Sequence, residues 1–278
     1  MTVKEKKGGQ FLDIRICDNL ELMAEIKDNT IDLIYCDILY GTGRKFKDYQ
    51  DLKPKREVIE EHYIPRIKEM HRILKLTGSI YLQMDTKINH WMRCILDDIF
   101  GYDRFLNEIT WNYNTQGYSK NKYSSKHDVI IFYSKTKKYF FDAEIIRNEN
   151  PSDSTMKRFG KEIEKNGFYI DFKSKKKVFK LKGSLPLDWF EMSVLPSAHH
   201  ENTGYDTQKP KALIQRIVKA SSNEGDLVAD FYSGSFTTAE VCKDLKRNFI
   251  GCDINPNCLE KAKERGLFSF TDEQDKAD

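Results

Sequence analysis

Residues 226–253 read DLVADFYSGSFTTAEVCKDLKRNFIGCD and combine two short apolar runs with a helical pattern between them. The first run, 226–231, predicts a strand that ends in a turn containing Gly234, and 237–245 predicts the helix that follows. The second run, 248–252, predicts a strand that ends at Asp253. Strands joined by a crossover helix lie parallel in one sheet, so this stretch indicates an α/β fold.

The same alternation extends outward from this stretch over most of the chain. Helices are predicted where apolar residues recur every three or four positions, and strands where short apolar runs end at glycine or polar residues. The further strands are 11–18, 31–36, 79–84, 105–113 and 128–133, and the further helices are 20–26, 56–75, 87–100, 210–222 and 256–265. This order predicts a mostly parallel sheet with helices on both faces.

Length and composition limit the class of protein. A chain of 278 residues fits one large α/β domain with an insertion, or two small domains. No apolar run approaches the ~20 residues of a membrane span, and the N-terminal residues lack the apolar stretch of a secretory signal. We therefore expect a cytoplasmic protein without a membrane partner.

Cysteine and histidine spacing predicts no metal site. The six cysteines form no CxxC pair, which favours reduced, mostly buried thiols; they are Cys17, Cys36, Cys94, Cys242, Cys252 and Cys258. His199 and His200 are adjacent, but we see no carboxylate or thiol at metal spacing from them, so we interpret both as loop residues.

Between about 114 and 205 the alternation gives way to polar sequence rich in lysine, asparagine and aromatic residues. Residues 143–190 contain eleven Lys and Arg against seven Asp and Glu. A basic insertion in a sheet fold is typical of a nucleic-acid surface, and we assign nucleic-acid contacts to Lys173, Lys175, Lys176 and Lys177. The alternative is a solvated face or a disordered loop.

Two strand ends in the C-terminal part are suited to a nucleoside-type cofactor. Asp230 ends one predicted strand and Asp253 ends its neighbour, where an acidic side chain can accept hydrogen bonds from two ribose hydroxyls. Gly234 lets the backbone approach a ligand closely because it has no Cβ. Thr237 and Thr238 would begin the next helix and cap its free N–H groups.

Three motifs resemble those of amino-directed DNA methyltransferases. Asp37-Ile38-Leu39-Tyr40 resembles the family's Asp-Pro-Pro-Tyr, and 230–238 resembles its S-adenosylmethionine loop, Asp-Pro-Phe-x-Gly-Ser-Gly-Thr-Thr. Thr207-Gln208-Lys209-Pro210 resembles the Thr-Gln-Lys-Pro segment that precedes this loop. The catalytic motif comes first and the cofactor loop last, which is the order of the β group.

The resemblance implies a seven-stranded Rossmann-like sheet that binds S-adenosylmethionine. It divides the chain into a catalytic half, 1–142, a target-recognition insertion, 143–200, and a cofactor-binding half, 201–278. By this resemblance Asp37 and the Ile38 carbonyl accept the amine hydrogens of a flipped-out adenine, and Tyr40 stacks on the base. Family members acting on cytosine N4 usually have Ser where Asp37 stands, so the resemblance favours adenine N6.

The resemblance also assigns the residues that bind the cofactor. They are Asp18, Gln208, Lys209, Asp230, Tyr232, Gly234, Ser235, Thr237 and Asp253. Gln208 and Lys209 would hold the methionine end, with a plain surface helix start as the alternative. Asp18 would meet the adenine of the cofactor, although a helix N-cap suits it equally well.

Several residues depart from the family pattern. Ile38 and Leu39 replace the two prolines of the catalytic motif, and Phe231 and Phe236 replace Pro and the last Gly of the cofactor loop. A phenyl ring at Phe236 would either reshape or obstruct the cofactor pocket. The alternatives to an adenine-N6 enzyme are therefore a catalytically impaired DNA-binding relative, a cytosine-N4 enzyme, or a methyltransferase acting on RNA or protein.

The partners implied are double-stranded DNA, a second copy of the chain in a homodimer, and a cognate restriction endonuclease. This is the setting of a restriction-modification system, or of an enzyme derived from one.

Overall fold

A computed structural model describes residues 2–7, 9–47, 49–113, 115, 117–148, 168–171, 177–180 and 183–268. The chain divides into two compact units. The larger comprises the described residues up to Phe140 and those from Asp188 onward, and the smaller lies within Phe141–Leu187. The larger unit therefore resumes at 188, before the end of the predicted insertion at 200.

Eleven strands and six helices occur in the described parts of the chain. The strands are β1 (Thr2–Lys7), β2 (Gln10–Ile16), β3 (Ile31–Asp37), β4 (Leu74–Met84), β5 (Phe105–Asn112), β6 (His127–Ser134), β7 (Phe168–Asp171), β8 (Lys177–Lys180), β9 (Trp189–Glu191), β10 (Leu227–Asp230) and β11 (Asn248–Asp253). The helices are α1 (Asn19–Glu25), α2 (Arg56–Ile73), α3 (Asn89–Phe100), α4 (Lys211–Ser221), α5 (Thr237–Asp244) and α6 (Cys258–Glu264). A 3₁₀ turn spans Tyr102–Arg104.

One sheet organises the larger unit, with strand order β1-β2-β11-β10-β3-β4-β6-β5-β9. Neighbours from β2 to β4 pair in parallel, as do β5 and β9, and the remaining pairs are antiparallel. In the smaller unit β7 and β8 form an antiparallel pair. The α/β class and the mostly parallel sheet are confirmed.

The described main sheet has nine strands, so the expected count of seven is wrong. The seven inner strands are those that the sequence predicted, and β1 and β9 extend the sheet at its two edges. β1 reads TVKEKK, which lacks a run of apolar residues, and β9 has three residues. Charged and very short strands are typical of sheet edges, where one side faces no partner strand.

The sheet separates two apolar layers, and β3 shows why. Successive side chains of a strand point to opposite faces, so Ile34 and Cys36 pack in one layer while Leu33 and Tyr35 pack in the other. Helices α1, α2 and α3 cover the first layer, and α4, α5 and α6 cover the second. This two-sided burial makes the inner strands almost continuously apolar.

The topology gathers three acidic residues at one edge of the sheet. β10 lies between β3 and β11 and pairs in parallel with both, so these three strands end on the same side. Asp37, Asp230 and Asp253 are their last residues. Ligands of open parallel sheets bind beyond these carboxyl ends.

The cysteines behave as the sequence predicted. All six are free thiols, and four of them are buried: Cys36, Cys242, Cys252 and Cys258. Among the described helices, none has both the length and the apolar composition needed to cross a bilayer.

Candidate active site

A cavity of about 660 Å³ opens at the carboxyl ends of β3, β10 and β11. Its lining includes Asp37, Tyr40, Lys209, Gly234 and Asp253, which come from the predicted catalytic and cofactor motifs. This volume lies within the range of small-molecule sites. The fold thus brings into one cavity two motifs that lie far apart along the chain.

The turn after β10 is organised around the Asp230 carboxylate. It accepts hydrogen bonds from the Tyr232 backbone N–H at 3.0 Å and from the Thr238 hydroxyl at 2.6 Å. The side chain is buried, and this burial raises the pKa of Asp230 to about 7, against the effect of both donors. Asp230 therefore shapes the turn from within.

Gly234 and Asp253 join the two strand ends. The Gly234 N–H donates to Asp253 Oδ2 at 2.8 Å, and the Asn255 N–H donates to Asp253 Oδ1 at 2.9 Å. Gly234 has φ +48°, and a Cβ there would lie 3.0 Å from the Tyr205 ring. Since each carboxylate oxygen accepts more than one hydrogen bond, Asp253 can still receive ligand hydroxyls.

The threonines at the start of α5 do not cap its N–H groups as expected. The hydroxyl of Thr238 donates to Asp230, and that of Thr237 lies 3.0 Å from the Ser235 hydroxyl and accepts from Arg265 Nη2 at 2.9 Å. No side chain caps the helix at its N-cap residue, Phe236. Both hydroxyls therefore make hydrogen bonds to side chains instead of to the free N–H groups of the helix.

Phe236 does not obstruct the cavity. Its side chain is fully buried in the apolar layer, edge-on to Phe249 at a centroid distance of 6.5 Å, and it is not part of the cavity lining. Its backbone has φ 56°, a left-handed conformation that glycine adopts more easily. The family's glycine is thus replaced by a residue that keeps the unusual backbone and turns its ring into the core.

Asp18 caps a helix and also faces the cavity. Its Oδ1 accepts from the Leu20 N–H at 2.8 Å and so caps α1, while its Oδ2 pairs with Arg66 Nη2 at 2.8 Å. It also lines the cavity. The capping interpretation is therefore observed, and a contact with the cofactor stays a prediction.

Tyr232 lies in the turn after β10, named here the cofactor turn (231–236), and packs against helix α2. Its hydroxyl lies 3.0 Å from His62 Nε2. Burial lowers the pKa of His62 to about 4, with a further contribution from Arg66, so the imidazole is neutral at pH 7.

Gln208 stabilises the loop before α4. Its Oε1 accepts from the Thr203 backbone N–H at 3.0 Å and hydroxyl at 2.8 Å, and its Nε2 donates to the Glu201 carbonyl at 2.6 Å. Gln208 lines the cavity as well. Its amide is therefore held in place from within its own loop.

Lys209 makes the contact that connects the two halves of the site. Its ammonium lies 2.6 Å from Asp37 Oδ2 and donates to the Thr207 carbonyl at 3.2 Å. Lys209 is 7 % exposed, which is far from a plain surface helix start. The sequence pointed to a cofactor role and gave no indication of this ion pair.

Asp37 and Tyr40 belong to a buried polar network. The Tyr40 hydroxyl lies 2.9 Å from Asp37 Oδ1 and 2.6 Å from Asp128 Oδ2. Burial raises the pKa of Asp37, whereas the neighbouring Lys209 opposes that shift. Asp128 is also contacted by Gln83 and Tyr113. Sequence analysis assigned no role to Gln83 or Asp128, because nothing in their local pattern identifies a partner across strands.

Two hydrogen bonds hold the backbone after β3, where Ile38 and Leu39 stand in place of the two prolines of the family's motif. The Ile38 N–H donates to the Gln83 carbonyl at 3.0 Å, a bond that a proline could not make. The Leu39 carbonyl accepts from the Tyr63 hydroxyl at 2.9 Å. These bonds hold the segment in place where the family uses the rigidity of proline.

Asp51 orders the loop that follows Tyr40. Its carboxylate accepts from the N–H groups of Gly41 at 3.0 Å and Thr42 at 2.7 Å, and from the Thr42 hydroxyl at 2.5 Å. Asp51 is buried, and sequence analysis missed it. The only sequence pattern for this role is an acidic residue ten positions after a glycine. That pattern is too common to predict that Asp51 binds the backbone of the loop.

Two further sequence predictions concern the lysine run of the insertion and the adjacent histidines. Lys173, Lys175 and Lys176 lie outside the described residues, and Lys177 is the first residue of β8. His199 and His200 are accompanied by Glu201, and their ligand atoms lie within 4.8 Å of one another, so the expectation that no carboxylate accompanies them is wrong. Glu201 Oε2 accepts from the Lys211 N–H at 3.1 Å at the start of α4.

The cavity offers groups that suit S-adenosylmethionine. Asn19 Oδ1 is buried at the cavity and has no hydrogen-bond partner among the described residues. Such an acceptor favours a ligand with N–H or O–H donors, and Asp253 supplies a second acceptor beside the glycine turn. The amine and hydroxyl groups of the cofactor are donors of this kind.

The parallel sheet and this site define the class of S-adenosylmethionine-dependent methyltransferases. A family model described as a DNA methylase, N6/N4 type, matches residues 31–264. The chain belongs to this family, and its members use S-adenosylmethionine as the methyl donor.

Individual relatives agree with this assignment. The chain is 34% identical over 253 residues to the type II methyltransferase M.HpaI of Haemophilus parainfluenzae, covering 90% of this chain and 73% of that protein. It is 28% identical over 250 residues to the DNA adenine methyltransferase YhdJ of Escherichia coli, covering 89% and 80%.

Solved structures share the fold. The PvuII cytosine-N4-specific DNA methyltransferase aligns with a TM-score of 0.67 and 16% identity, covering 94% of this chain and 87% of that one. The complex of M1.HpyAVI with S-adenosylmethionine aligns with a TM-score of 0.54 and 19% identity, covering 91% and 99%.

Proposed function

We propose that this protein transfers the methyl group of S-adenosylmethionine to N6 of an adenine flipped out of double-stranded DNA. The observation that supports adenine is the carboxylate of Asp37 at the end of β3, in the same cavity as the cofactor turn. Family resemblance places Ser at this position in most cytosine-N4 enzymes. The relative YhdJ is named as an adenine methyltransferase.

The exocyclic amine of adenine needs help because its lone pair is delocalised into the ring. Asp37 accepts one amine hydrogen and the Ile38 carbonyl accepts the other, which concentrates electron density on nitrogen. When bound, S-adenosylmethionine supplies an electrophilic methyl group. Asp37 and Ile38 hold the amine in line with that methyl group, and Tyr40 stacks on the base.

Lys209 supports this role of Asp37. A carboxylate in a buried site tends to take up a proton, and a protonated Asp37 would lose its full strength as an acceptor. The ammonium at 2.6 Å favours the ionised form. A carboxylate has about four acceptor sites, so the ion pair leaves room for the amine.

Product analysis tests the reaction. The protein is incubated with labelled S-adenosylmethionine and DNA of varied sequence, and the DNA is digested to nucleosides and separated. We expect label in N6-methyladenine. Label in N4-methylcytosine would contradict the choice of base, label transferred only to RNA or protein would contradict the substrate, and unlabelled products under all conditions would indicate a catalytically impaired relative.

The insertion 143–200 is proposed as the target-recognition region, with Lys173, Lys175, Lys176 and Lys177 on DNA phosphates. Its excess of lysine and arginine over acidic residues supports this assignment. A homodimer, a cognate endonuclease and a restriction-modification setting are further proposals. The last is supported by relatives named as type II methyltransferases.

Neutralising Lys175, Lys176 and Lys177 together tests the DNA contacts. We expect weaker binding to all DNA sequences and a smaller dependence of affinity on salt, because phosphate contacts act through counterion release. Cofactor affinity should not change. The matched control neutralises Lys27, Lys68 and Lys246, three exposed lysines of the larger unit. Equal effects of the two triple variants would contradict a specific role of the run.

A further inference from the structure

The Tyr40 hydroxyl lies between two carboxylates, and one of them has no role in the reaction as proposed. Asp128 is the second residue of β6, is 5 % exposed, and places Oδ2 2.6 Å from the Tyr40 oxygen. Asp37 Oδ1 lies 2.9 Å from the same oxygen. The two carboxyl groups are therefore linked by hydrogen-bond contacts to the same hydroxyl group.

Three hydrogen-bond donors converge on the carboxyl oxygens of Asp128. Tyr113 donates its hydroxyl to Oδ1 at 3.0 Å, and Gln83 donates its amide to Oδ2 at 3.1 Å. The amide of Gln83 is oriented by the Tyr35 hydroxyl, which donates to Gln83 Oε1 at 2.8 Å. With Tyr40 as the third donor, Asp128 has the surroundings of a stable buried carboxylate.

The single hydrogen of the Tyr40 hydroxyl limits how Tyr40 can interact with Asp37. A hydroxyl group has one hydrogen, and donating it to Asp128 leaves the Tyr40 oxygen facing Asp37 Oδ1 without a hydrogen of its own. When methyl transfer leaves a proton on Asp37, that proton can be donated to the Tyr40 oxygen, 2.9 Å away. Burial raises the pKa of Asp37, which acts in the same direction.

We infer that Asp128 is a positioning residue for methyl transfer, which acts through the Tyr40 hydroxyl to set the Tyr40 ring and to provide a hydrogen-bond path for a proton on Asp37. The inference rests on the proposed function. Methylation of the amine releases one proton for each methyl group transferred. Asp37 Oδ1 takes up this proton from nitrogen and keeps it, hydrogen-bonded to the Tyr40 oxygen, while Tyr40 continues to donate its own hydrogen to Asp128.

A double-mutant cycle tests the path through Tyr40. Asp128→Asn and Tyr40→Phe should each lower the single-turnover rate by about tenfold, the effect of losing one charge-assisted hydrogen bond. The double variant should be no more than about threefold slower than the slower single variant, because both changes break the same path. A roughly hundredfold loss in the double variant, or no loss in Asp128→Asn, would overturn the inference.

A matched control separates positioning from general stability. The Tyr133 hydroxyl also donates to an aspartate, Asp97 on α3, and Tyr133 lies on the same strand as Asp128 but outside the cavity. Asp97→Asn should lower the melting temperature while keeping the rate within about twofold of wild type. If Asp97→Asn slows turnover as much as Asp128→Asn, the role of Asp128 is only structural.

Carbon-13 NMR of the aspartate carboxyl groups follows Asp37 without turnover, with its signal assigned from Asp37→Asn. The titration midpoint of Asp37 should fall in Asp128→Asn, because a negative charge beside it is removed, and should not move in Asp97→Asn. Both variants keep the other titratable groups that interact with Asp37, which are Lys209, Tyr40, Asp230, Tyr35, Cys36 and Tyr49.

The two hypotheses fail separately. An unmoved midpoint in Asp128→Asn overturns the link between the carboxyl groups even in an active enzyme. A lowered midpoint in a protein that transfers no methyl group to DNA contradicts the proposed function and supports the link.

Discussion

The cofactor turn and the catalytic strand end lie in one cavity but are built in different ways. Around the turn, Asp230 contacts Tyr232 and Thr238, which are 2 and 8 residues away, and Gly234 contacts Asp253 at a separation of 19. Asp37, by contrast, pairs with Lys209 across 172 residues, and Tyr40 reaches Asp128 across 88. The polar contacts that shape the first region join residues close in sequence, although Tyr232 also contacts His62 across 170 residues. The second region depends on the whole sheet.

This difference separates binding from chemistry. Local contacts keep the turn intact when a distant strand shifts slightly, so cofactor affinity should tolerate changes in the catalytic network. The catalytic contacts depend on the relative positions of β3, β6 and the segment before α4. Single substitutions should therefore affect affinity or rate, and seldom both.

The largest effect is expected for Asp37→Ala. The variant should lose methyl transfer, because one preorganised acceptor typically contributes ~3 kcal/mol or more to lowering the barrier. Its affinity for S-adenosylmethionine, measured by calorimetry, should stay close to that of wild type. A parallel loss of affinity would show that the two regions are not separate, and unchanged turnover would rule out the role of Asp37.

Phe236→Gly is expected to lower the free energy of unfolding by about 1–4 kcal/mol, measured by urea denaturation. Removing a buried phenyl group costs about 3–5 kcal/mol. Glycine adopts the left-handed backbone without strain, which restores about 1–2 kcal/mol of stability. Lys246→Gly is the control, since Lys246 has φ 58° but is exposed, and it should be neutral or slightly stabilising. Tighter cofactor binding in Phe236→Gly would instead indicate that the ring restricts the pocket.

Asp253→Ala should weaken S-adenosylmethionine binding by about 1–3 kcal/mol, the usual cost of leaving hydrogen-bond groups without a partner. It also removes the acceptor for the Gly234 N–H, so the turn itself loosens. Asp253→Asn keeps one acceptor oxygen and should lose less. Calorimetry that finds equal affinity for Asp253→Ala and wild type would place the ribose elsewhere.

The smallest effect is a change in how stability depends on pH. The pKa of Asp230 is about 7 in the fold and 3.8 in the unfolded chain, so between these values the folded state binds a proton that the unfolded state lacks. This contribution to the free energy of unfolding decreases as pH rises from 4 to 7 and is absent above the folded pKa.

Asp230→Asn removes that contribution. Relative to wild type, the variant should therefore gain more than about 1 kcal/mol in stability between pH 5 and pH 8, measured by denaturation at both pH values. An equal difference at both pH values would show that Asp230 keeps its charge in the fold. Such a result would show that burial does not raise the pKa of Asp230.

Sequence patterns predicted the seven inner strands and the six helices of the main unit, because apolar periodicity records which face of an element is buried. They did not predict β1 or β9. Edge strands have one free side, so TVKEKK and a three-residue strand need no apolar pattern to join the sheet.

The cofactor turn could be located from the sequence because its functional residues are neighbours in the chain: an acidic strand end, a glycine and a second acidic strand end. The tertiary structure alone determined that Lys209 pairs with Asp37, that Asp128 holds Tyr40, and that the Phe236 ring enters the core. Those contacts arise when strands far apart in the chain pack side by side, and the free energy of burying them together belongs to no single segment. Local sequence determines which elements form, and the packing of those elements determines which side chains meet.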